Sequence, residues 1–299
     1  MASGGVEYRA GYVVLCGRSN VGKSTLLNRI VGEKVAIVTP RPQTTRRRIV
    51  GVRTDPDAQL ILVDTPGLHE ATRLLNRRMV EVARAAMAQG DVLAVVVEAG
   101  ERLAAEDRAV LAEAARLGRP TVVIINKIDL VRRAWLIPLA QECLRLVPGA
   151  EIVPVSALSG ENVAELCTTL KGMLPAGPAL LPEDQYTDQT ERALVEEIIR
   201  EKIFLAMRQE IPFSTAVKVE QFTELEDRGL VRIHATIIVD RDSHKGMMIG
   251  AGGRRLKEIG QAARLEIEQH LGMKVFLALN VKVEKDWTRD PRRLAELDL

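Results

Sequence analysis

The chain has 299 residues, of which 46% are hydrophobic and 27% are charged, so it has the composition of a globular protein with room for two ordinary domains. The formal net charge is only +2, which excludes a polybasic protein and confines any nucleic-acid site to a local patch. Aromatic residues make up only 3%, so hydrophobic cores must be built mainly from Val, Ile, Leu and Ala.

The N-terminal residues 1–10 contain no hydrophobic signal core, and no apolar run approaches the length of a membrane span. We therefore expect a cytoplasmic protein, with peripheral contact with the inner face of the cell membrane left open. Three widely spaced cysteines, Cys16, Cys143 and Cys167, each lie in an apolar segment, which is typical of buried reduced thiols and predicts no disulfide partners.

The first motif begins with an apolar run, Val13 to Cys16, and leads through a loop into a helix-forming segment. Gly17 and Gly22 let successive backbone N–H groups point into one concavity, where phosphate oxygens bind at a helix N-terminus. Lys23 adds a charge at the β and γ phosphates, and Ser24 offers a hydroxyl to Mg²⁺. A glycine turn without a ligand is the alternative. The predicted phosphate-binding residues are Gly17, Arg18, Ser19, Asn20, Val21, Gly22, Lys23, Ser24 and Thr25.

Residues 39–48 contain two prolines and four arginines without an acid, which predicts a surface loop. A solvated linker is one interpretation. Beside a nucleotide site, a threonine of this loop can instead complete the magnesium shell and order the loop only while the γ phosphate is present. We choose Thr45 for that role, with Thr44 as the alternative.

A second apolar run, Leu60 to Val63, ends in a short polar segment that begins at Asp64. A carboxylate at this end of a strand beside the phosphate loop can hold Mg²⁺ through water, and the N–H of Gly67 can reach the γ phosphate. The predicted switch residues are Thr44, Thr45, Asp64, Thr65, Pro66, Gly67 and Leu68, and the predicted magnesium ligands are Ser24, Thr45 and Asp64.

The residue after Gly67 is Leu68, whereas many GTPases use a glutamine here to orient the attacking water. Hydrolysis must therefore be assisted by another group, a cation or a partner. His69 follows, and we interpret it as an ordinary loop histidine.

Two further apolar runs, 92–97 and 121–125, alternate with helical stretches, which predicts an α/β fold with a mainly parallel sheet. The second run leads to Asp129, whose carboxylate can accept the N1–H and 2-amino protons of guanine, whereas adenine has no 2-amino group. After the strand 152–155, backbone N–H groups could contact guanine O6. The predicted guanine-binding residues are Asn126, Lys127, Asp129, Ser156 and Ala157.

The proline-rich residues 176–189 predict a linker between a GTPase domain, 1–175, and a second domain, 190–299. Hydrophobic periodicity in the second domain predicts the order αββααβ. A glycine-rich loop at 250–253 lies between its last two helices, with basic residues and no acid around it. Glycines permit a sugar-phosphate chain to approach, and we expect bases to rest beside Ile249 and the strand 231–239. A helix-loop-helix corner with a solvated charged face is the alternative.

This second domain resembles a KH domain of the bacterial type (type II), a smaller α+β RNA-binding module. The predicted RNA-binding residues are Lys245, Ile249, Gly250, Ala251, Gly252, Gly253, Arg254, Arg255 and Lys257.

The segments GRSNVGKS, PQTTR, DTPGL, NKID and SAL together resemble the bacterial Era family of GTPases. The resemblance implies a P-loop GTPase with slow intrinsic hydrolysis, GTP or GDP and Mg²⁺ as ligands, and potassium coordination at Asn20. It also implies binding to small-subunit ribosomal RNA near its 3′ end during assembly of the 30S subunit, by a protein that we expect to be a monomer. Two alternatives stay open: a GTPase in transfer-RNA modification or membrane traffic, and an RNA scaffold that GTP merely stabilises.

Overall fold

The computed structural model describes residues 7–68, 74–207, 210–225, 227 and 229–299. His69 lies outside these described residues. The chain divides into two compact units at the boundary between Asp188 and Gln189, and each unit is described by itself. Among the described residues, no helix combines the length and apolar character needed to cross a bilayer.

The first unit is built on a six-stranded sheet in the order β2-β3-β1-β4-β5-β6. All neighbouring pairs are parallel except β2 and β3, which pair antiparallel at one edge. This arrangement confirms the predicted α/β fold with a mainly parallel sheet. The strands are β1 (Arg9–Cys16), β2 (Ile49–Asp55), β3 (Ala58–Asp64), β4 (Val92–Glu98), β5 (Thr121–Asn126) and β6 (Glu151–Val155).

Helices cover both faces of this sheet, which explains why the central strands are continuous apolar runs. On one face pack α2 (Leu74–Gln89), α3 (Ala105–Leu117) and α4 (Leu136–Leu146), and on the other pack α1 (Lys23–Val31) and α5 (Val163–Met173). The carboxyl ends of the parallel strands therefore meet at one edge of the sheet, which is where ligands bind in such folds.

The segment predicted as a linker packs along the first unit up to Asp188. Bridges join Ala176 to Arg9 and Thr187 to Gly51. Between them, the side chain of Gln59 accepts hydrogen bonds from the N–H groups of residues 180 and 181 at 2.8 and 3.0 Å. Much of this proline-rich segment is thus held in place by backbone hydrogen bonds.

The second unit contains a three-stranded sheet in the order β7-β8-β9, with β7 and β8 antiparallel and β8 and β9 parallel. Helices α6 and α8 pack on the face that carries Ile233 and Ile237. The predicted order αββααβ is observed. The elements are α6 (Glu191–Ala206), β7 (Thr215–Leu225), β8 (Leu230–Val239), α7 (Asp242–Ile249), α8 (Arg254–Leu271) and β9 (Lys274–Val283).

The C-terminal residues form a further helix, α9 (Pro291–Glu296), that the periodicity did not predict. Trp287 is fully buried and donates its indole N–H to the carbonyl oxygen of Ser214 at 3.1 Å. Arg293, which the sequence presents as additional positive charge, forms ion pairs at 2.6 Å with both Glu284 and Glu296. The basic character of this segment is therefore partly neutralised within the chain.

Candidate functional site

The three residues predicted to hold Mg²⁺ come together at the carboxyl edge of the first sheet. The hydroxyl of Ser24 donates to Asp64 Oδ2 at 2.5 Å and lies 3.0 Å from the hydroxyl of Thr45. Thr45 also donates to Asp64 Oδ2, at 3.4 Å. The other oxygen, Asp64 Oδ1, is buried and has no hydrogen-bond partner among the described residues. Two hydroxyls and a carboxylate are ligands that suit a hard cation such as Mg²⁺.

The hydroxyls of Thr44 and Thr45 make different contacts. The hydroxyl of Thr44 donates to the carbonyl oxygen of Arg41 at 2.9 Å and lies 2.6 Å from that of Thr39. It is thus used inside its own loop, and the geometry favours Thr45. The loop is also less exposed than the sequence predicts, since Thr45 is 7% exposed and Arg46 is 4% exposed.

The phosphate loop requires glycine at two positions. Gly22 has a φ of +100°, and a Cβ there would collide with the side-chain amide of Asn126. A Cβ on Gly17 would collide with the carbonyl oxygen of Val96. Lys23 directly follows Gly22, and its ammonium group donates to the carbonyl oxygens of Gly17 and Arg18 at 3.1 and 2.9 Å. Burial lowers the pKa of Lys23.

Burial raises the pKa of Asp64, and the nearby charge of Lys23 acts in the opposite direction. The two groups are therefore buried together, with opposite charges, beside the predicted magnesium ligands. This arrangement would place a cation and a metal-binding carboxylate at the position where a nucleotide's terminal phosphates reach the loop.

The segment after Asp64 lies directly against the phosphate loop. A Cβ on Gly67 would come within 2.5 Å of the Ser19 hydroxyl, so only glycine permits this approach. The N–H of Leu68 donates to the carbonyl oxygen of Gly17 at 3.1 Å, and its side chain is buried in the core of the unit. Because that side chain points inward and is apolar, this position cannot orient an attacking water. Thr65 and Pro66 are buried, and the Thr65 hydroxyl donates to the backbone of strand β1.

Asn126 connects two loops of the site. Its amide donates to the carbonyl oxygen of Val21 at 2.7 Å, and its carbonyl accepts from the N–H of Ala157 at 2.9 Å. The N–H of Ser156 is also bonded, to the carbonyl oxygen of Glu161 at 3.1 Å. The N–H groups of Ser156 and Ala157 thus already donate within the protein. A contact with guanine would have to share these donors or replace their present hydrogen bonds.

Asp129 differs from these neighbours because its side chain is exposed and forms no hydrogen bond or ion pair with any described residue. It lies in a short helical turn, Ile128–Leu130, that directly follows β5 and Lys127. A carboxylate with both oxygens accessible can accept two protons from one base edge. Asn20, at φ +66°, is also exposed, and it lines the cavity between the phosphate loop and residues 37–45.

A network of four charged side chains supports the site, and sequence reasoning missed two of its members. Arg18 forms ion pairs with Glu98, at the end of β4, and at 3.3 Å with Asp107, in the first turn of α3. Glu98 also accepts from Lys127 at 2.9 Å. Burial would raise the pKa of Glu98, but hydrogen bonds from Lys127 and Arg18 lower it overall. Glu98 thereby connects the phosphate loop with the loop that carries Asp129.

The side chain of Arg18 therefore points at protein carboxylates, whereas the sequence placed this residue in the phosphate-binding loop only by position. Burial raises the pKa of Asp107, which is 2% exposed, even beside this guanidinium. The available signal was an acid, Glu98, that ends an apolar strand at the ligand-binding edge of the sheet.

In the second unit, the predicted glycine-rich loop lies between α7 and α8. Gly250 has a φ of +73°, and a Cβ there would come within 2.9 Å of the Arg255 Cβ. Arg255 donates to the carbonyl oxygen of Met247 at 2.7 Å, which holds the two helices together across the loop. Arg254 and Lys257 are exposed, Lys245 is partly exposed, and none of the three forms an ion pair with a described residue. Ala251, Gly252 and Gly253 form a tight turn beside them, in which both glycines have positive φ.

A groove runs from this loop between α8 and β9, and it does not follow the strand 231–239, beside which we expect bases to rest. That strand, β8, is the middle strand, and its apolar side chains, including Ile233 and Ile237, are buried beneath the helices. Ile249 also packs against this core. The groove of about 480 Å³ is lined by Gly253, Leu256, Lys257, Gly260, Gln261, Arg264, Leu277 and Leu279.

Comparisons with known proteins agree with both units. A family model described as 50S ribosome-binding GTPase matches residues 12–127, and one described as KH domain matches residues 210–288. GTPase Era of Syntrophus aciditrophicus is 48% identical over 297 residues, which cover 99% of this chain and 97% of that protein. GTPase Era of Geobacter metallireducens is 47% identical and covers 97% of each chain.

Two solved structures are similar over almost the whole length. A variant of Era from Aquifex aeolicus bound to GDP and AlF₄⁻ has a TM-score of 0.93 at 41% identity, and the match covers 97% of this chain and 98% of that one. Era in complex with MgGDPNP and nucleotides 1506–1542 of 16S ribosomal RNA has a TM-score of 0.94, with the same identity and coverage.

Proposed function

The chain belongs to the Era family of GTPases, and on this basis we propose that it hydrolyses GTP at the edge of the first sheet and binds small-subunit ribosomal RNA through the second unit. The observation that carries the nucleotide half is the convergence of Ser24, Thr45 and Asp64 next to the buried Lys23. The RNA half is supported by the complex of a 41% identical relative with 16S ribosomal RNA.

We propose Ser24 and Thr45 as direct ligands of Mg²⁺, with Asp64 holding it through water. Asp64 Oδ1 is buried without a partner in the part of the chain that the structure describes, which supports this role because such a carboxylate oxygen is costly. The bound ion would neutralise charge on the β and γ phosphates. Lys23 would contact the same oxygens, and the N–H of Gly67 would reach the γ phosphate.

For the base, we propose that Asp129 reads the guanine N1–H and 2-amino groups. Its exposure and its lack of a hydrogen-bond or ion-pair partner among the described residues support this role. Lys127 is held by Glu98 and positions the turn from which Asp129 projects. Asn126 joins this turn to Val21 and Ala157. Hydrogen bonds therefore connect the phosphate-binding loop with the two loops that we propose to bind the base.

For hydrolysis, we propose that a potassium ion at Asn20 supplies positive charge, because Leu68 is buried and cannot assist. Asn20 is exposed on the phosphate loop, where its side-chain oxygen is accessible to a cation. Single-turnover hydrolysis should be several-fold faster in KCl than in NaCl at equal ionic strength. An Asn20→Ala variant should lose this difference, and equal rates for the wild-type protein in both salts would contradict the role.

We further propose that the GTP state controls RNA binding during maturation of the 30S subunit. GTP would order the Thr45 loop and the Asp64–Leu68 segment, and hydrolysis would release them. We propose that the protein is a monomer that acts in the cytoplasm, and peripheral membrane contact stays a prediction.

The test compares wild-type protein with Lys23→Ala, and Lys285→Ala serves as a matched lysine control in the second unit. Lys23→Ala should reduce GTP hydrolysis by about 100-fold or more, because it removes a fixed charge from the developing phosphoryl charge. It should also abolish any effect of GTP on RNA affinity. RNA binding that is strong and identical in wild-type protein and Lys23→Ala, with or without GTP, would favour the scaffold alternative instead.

A further inference from the structure

The three-stranded sheet of the second unit has a second face, opposite to the one on which α6 and α8 pack. Side chains alternate along each strand, so every other residue of β8 points away from the core. The registers place Thr223, Arg232 and Phe276 side by side in one row across the sheet. We call this surface the open face and define it by Lys218, Arg232, His234, Lys274, Phe276 and Asn280.

The open face is positively charged. Its rows, Leu225–Leu230–Lys274, Thr223–Arg232–Phe276, Gln221–His234–Ala278 and Lys218–Thr236–Asn280, contain three cations and no Asp or Glu. Neither Lys218 nor Arg232 forms an ion pair with a described residue. Two acids of β7 lie next to these rows: Glu220 is the extra residue of the bulge and pairs with no residue of β8, and Glu224 pairs with Val231 in a row that belongs to the opposite face. Cations without intramolecular partners on a fixed surface are the feature that binds phosphates.

An aromatic ring lies among these cations. Phe276 is 51% exposed, whereas Phe204 is fully buried. Arg232 is the direct neighbour of Phe276 on β8. The centroids of the His234 and Phe276 rings lie 6.2 Å apart. Exposed aromatic rings beside basic side chains are where single-stranded bases stack while their phosphates are neutralised.

The same surface fits a protein partner poorly. Interfaces between proteins bury clustered apolar side chains, whereas three of the side chains next to Phe276 on this face, Arg232, His234 and Lys274, are polar or charged. On this face, its neighbours on β9 and β8 are Lys274, Ala278, Leu230, Arg232 and His234. Charge complementarity therefore favours a polyanion with exposed bases over an apolar protein surface.

We propose that the open face is a second RNA site, which stacks a base on Phe276 and holds the flanking phosphates with Lys218, Arg232 and Lys274. The proposal rests on the RNA-binding function proposed above and adds a contact surface to it. This surface lies on the side of the sheet opposite to the helices that flank the loop at 250–253. A loop of that kind clamps about four nucleotides, so a longer RNA segment can occupy both sites.

The experiment uses the full chain with Mg²⁺ and GDPNP and measures binding of a labelled RNA with the sequence of nucleotides 1506–1542 of 16S ribosomal RNA. Four variants are compared. Arg232→Glu and Phe276→Ala change the open face, and Arg254→Glu changes the loop. Arg192→Glu makes the same charge change in the first turn of α6, where an acid is favourable, and serves as the control.

Arg232→Glu should weaken binding about fivefold or more and reduce the salt dependence of affinity, because a phosphate contact is lost. Phe276→Ala should weaken binding by a similar factor but leave the salt dependence unchanged, because stacking carries no charge. Arg192→Glu should stay within about twofold of the wild-type affinity.

Photo-crosslinking of wild-type protein to RNA that carries 4-thiouridine gives a second readout that needs no variant. Adducts should map to residues 274–280 as well as to the loop. If Arg254→Glu loses affinity while both open-face variants bind like Arg192→Glu, and adducts map only to 245–257, the open face does not bind RNA and the proposed function stands. If Arg254→Glu and the open-face variants all bind like wild-type protein, the RNA-binding function itself fails.

Discussion

The carboxyl edge of the first sheet, which we call the nucleotide edge, and the glycine-rich loop of the second unit are both rich in charged residues. The two regions use these residues differently. At the nucleotide edge, charged and polar side chains bind one another: Ser24 and Thr45 contact Asp64, and Glu98 contacts both Arg18 and Lys127. At the glycine-rich loop, by contrast, Lys245, Arg254 and Lys257 form no ion pair within the part of the chain that the structure describes.

The difference reflects the ligands. A nucleotide is small and has one shape, so a preorganised frame that fixes each donor in advance gives both affinity and catalysis. RNA is long and flexible, so solvated cations can each contribute a small, similar amount. We therefore expect single substitutions to have large effects in the first region and small, additive effects in the second.

Asp129→Asn tests the nucleotide edge where the largest effect is expected. The amide NH₂ would face the guanine 2-amino group, donor against donor, so affinity for GTP should fall about a thousandfold, with a gain for xanthosine triphosphate, whose 2-oxo group accepts a hydrogen bond. Competition binding with both nucleotides measures this. Unchanged GTP affinity would remove the base-reading role of Asp129 and would weaken the contrast between the two regions.

Glu98→Gln tests whether the frame matters as well as the residues that contact the ligand. The substitution weakens the link between Arg18 and Lys127 but removes no proposed ligand contact. Because these side chains are partly exposed, we expect GTP and GDP affinities to fall only about threefold to tenfold. The control is Glu142→Gln, in an exposed pair with Arg108 at 2.6 Å, which should leave both affinities unchanged.

Equal behaviour of these two glutamine variants would mean that the Glu98 pairs are ordinary surface pairs. If Glu98→Asp keeps nucleotide affinities closer to those of the wild-type protein than Glu98→Gln does, the negative charge matters, since aspartate keeps that charge on a shorter side chain.

Arg254→Ala tests the second region, where the effect should be smallest. Loss of one phosphate contact should weaken RNA binding about twofold to fivefold. It should also reduce the magnitude of the slope of log affinity against log salt concentration by about one. Arg192→Ala should change neither quantity. A loss as large as that expected for Asp129→Asn would show that the loop is a preorganised site like the nucleotide edge, and the comparison would fail.

Much of the nucleotide edge could be predicted because its motifs are short and lie at strand ends. Residues 17–24, Asp64 and Asp129 each follow an apolar run, and parallel strands bring those ends together without further information. The choice between Thr44 and Thr45 could not be made, because adjacent residues of an irregular loop point in directions that no periodicity describes.

Ion pairs between residues that are far apart in the sequence could not be predicted either. Arg18 and Glu98 are separated by 80 residues, and nothing local marks them as partners. In the second unit, the alternation of β8 predicted a strand, but only the sheet order shows that it is central and that β9 borders the groove. Sequence patterns give the faces of a strand, whereas its neighbours depend on the tertiary fold.

The central claim is that the γ phosphate held in the first unit changes RNA binding by the second. It is tested most directly by the dissociation constant of the RNA segment with Mg-GDPNP and with Mg-GDP, at one fixed salt concentration. We predict tighter binding with GDPNP by about fivefold or more, which lies within the usual range of coupling between two sites. Equal dissociation constants would contradict the claim, because a ligand without preference between two states shifts neither.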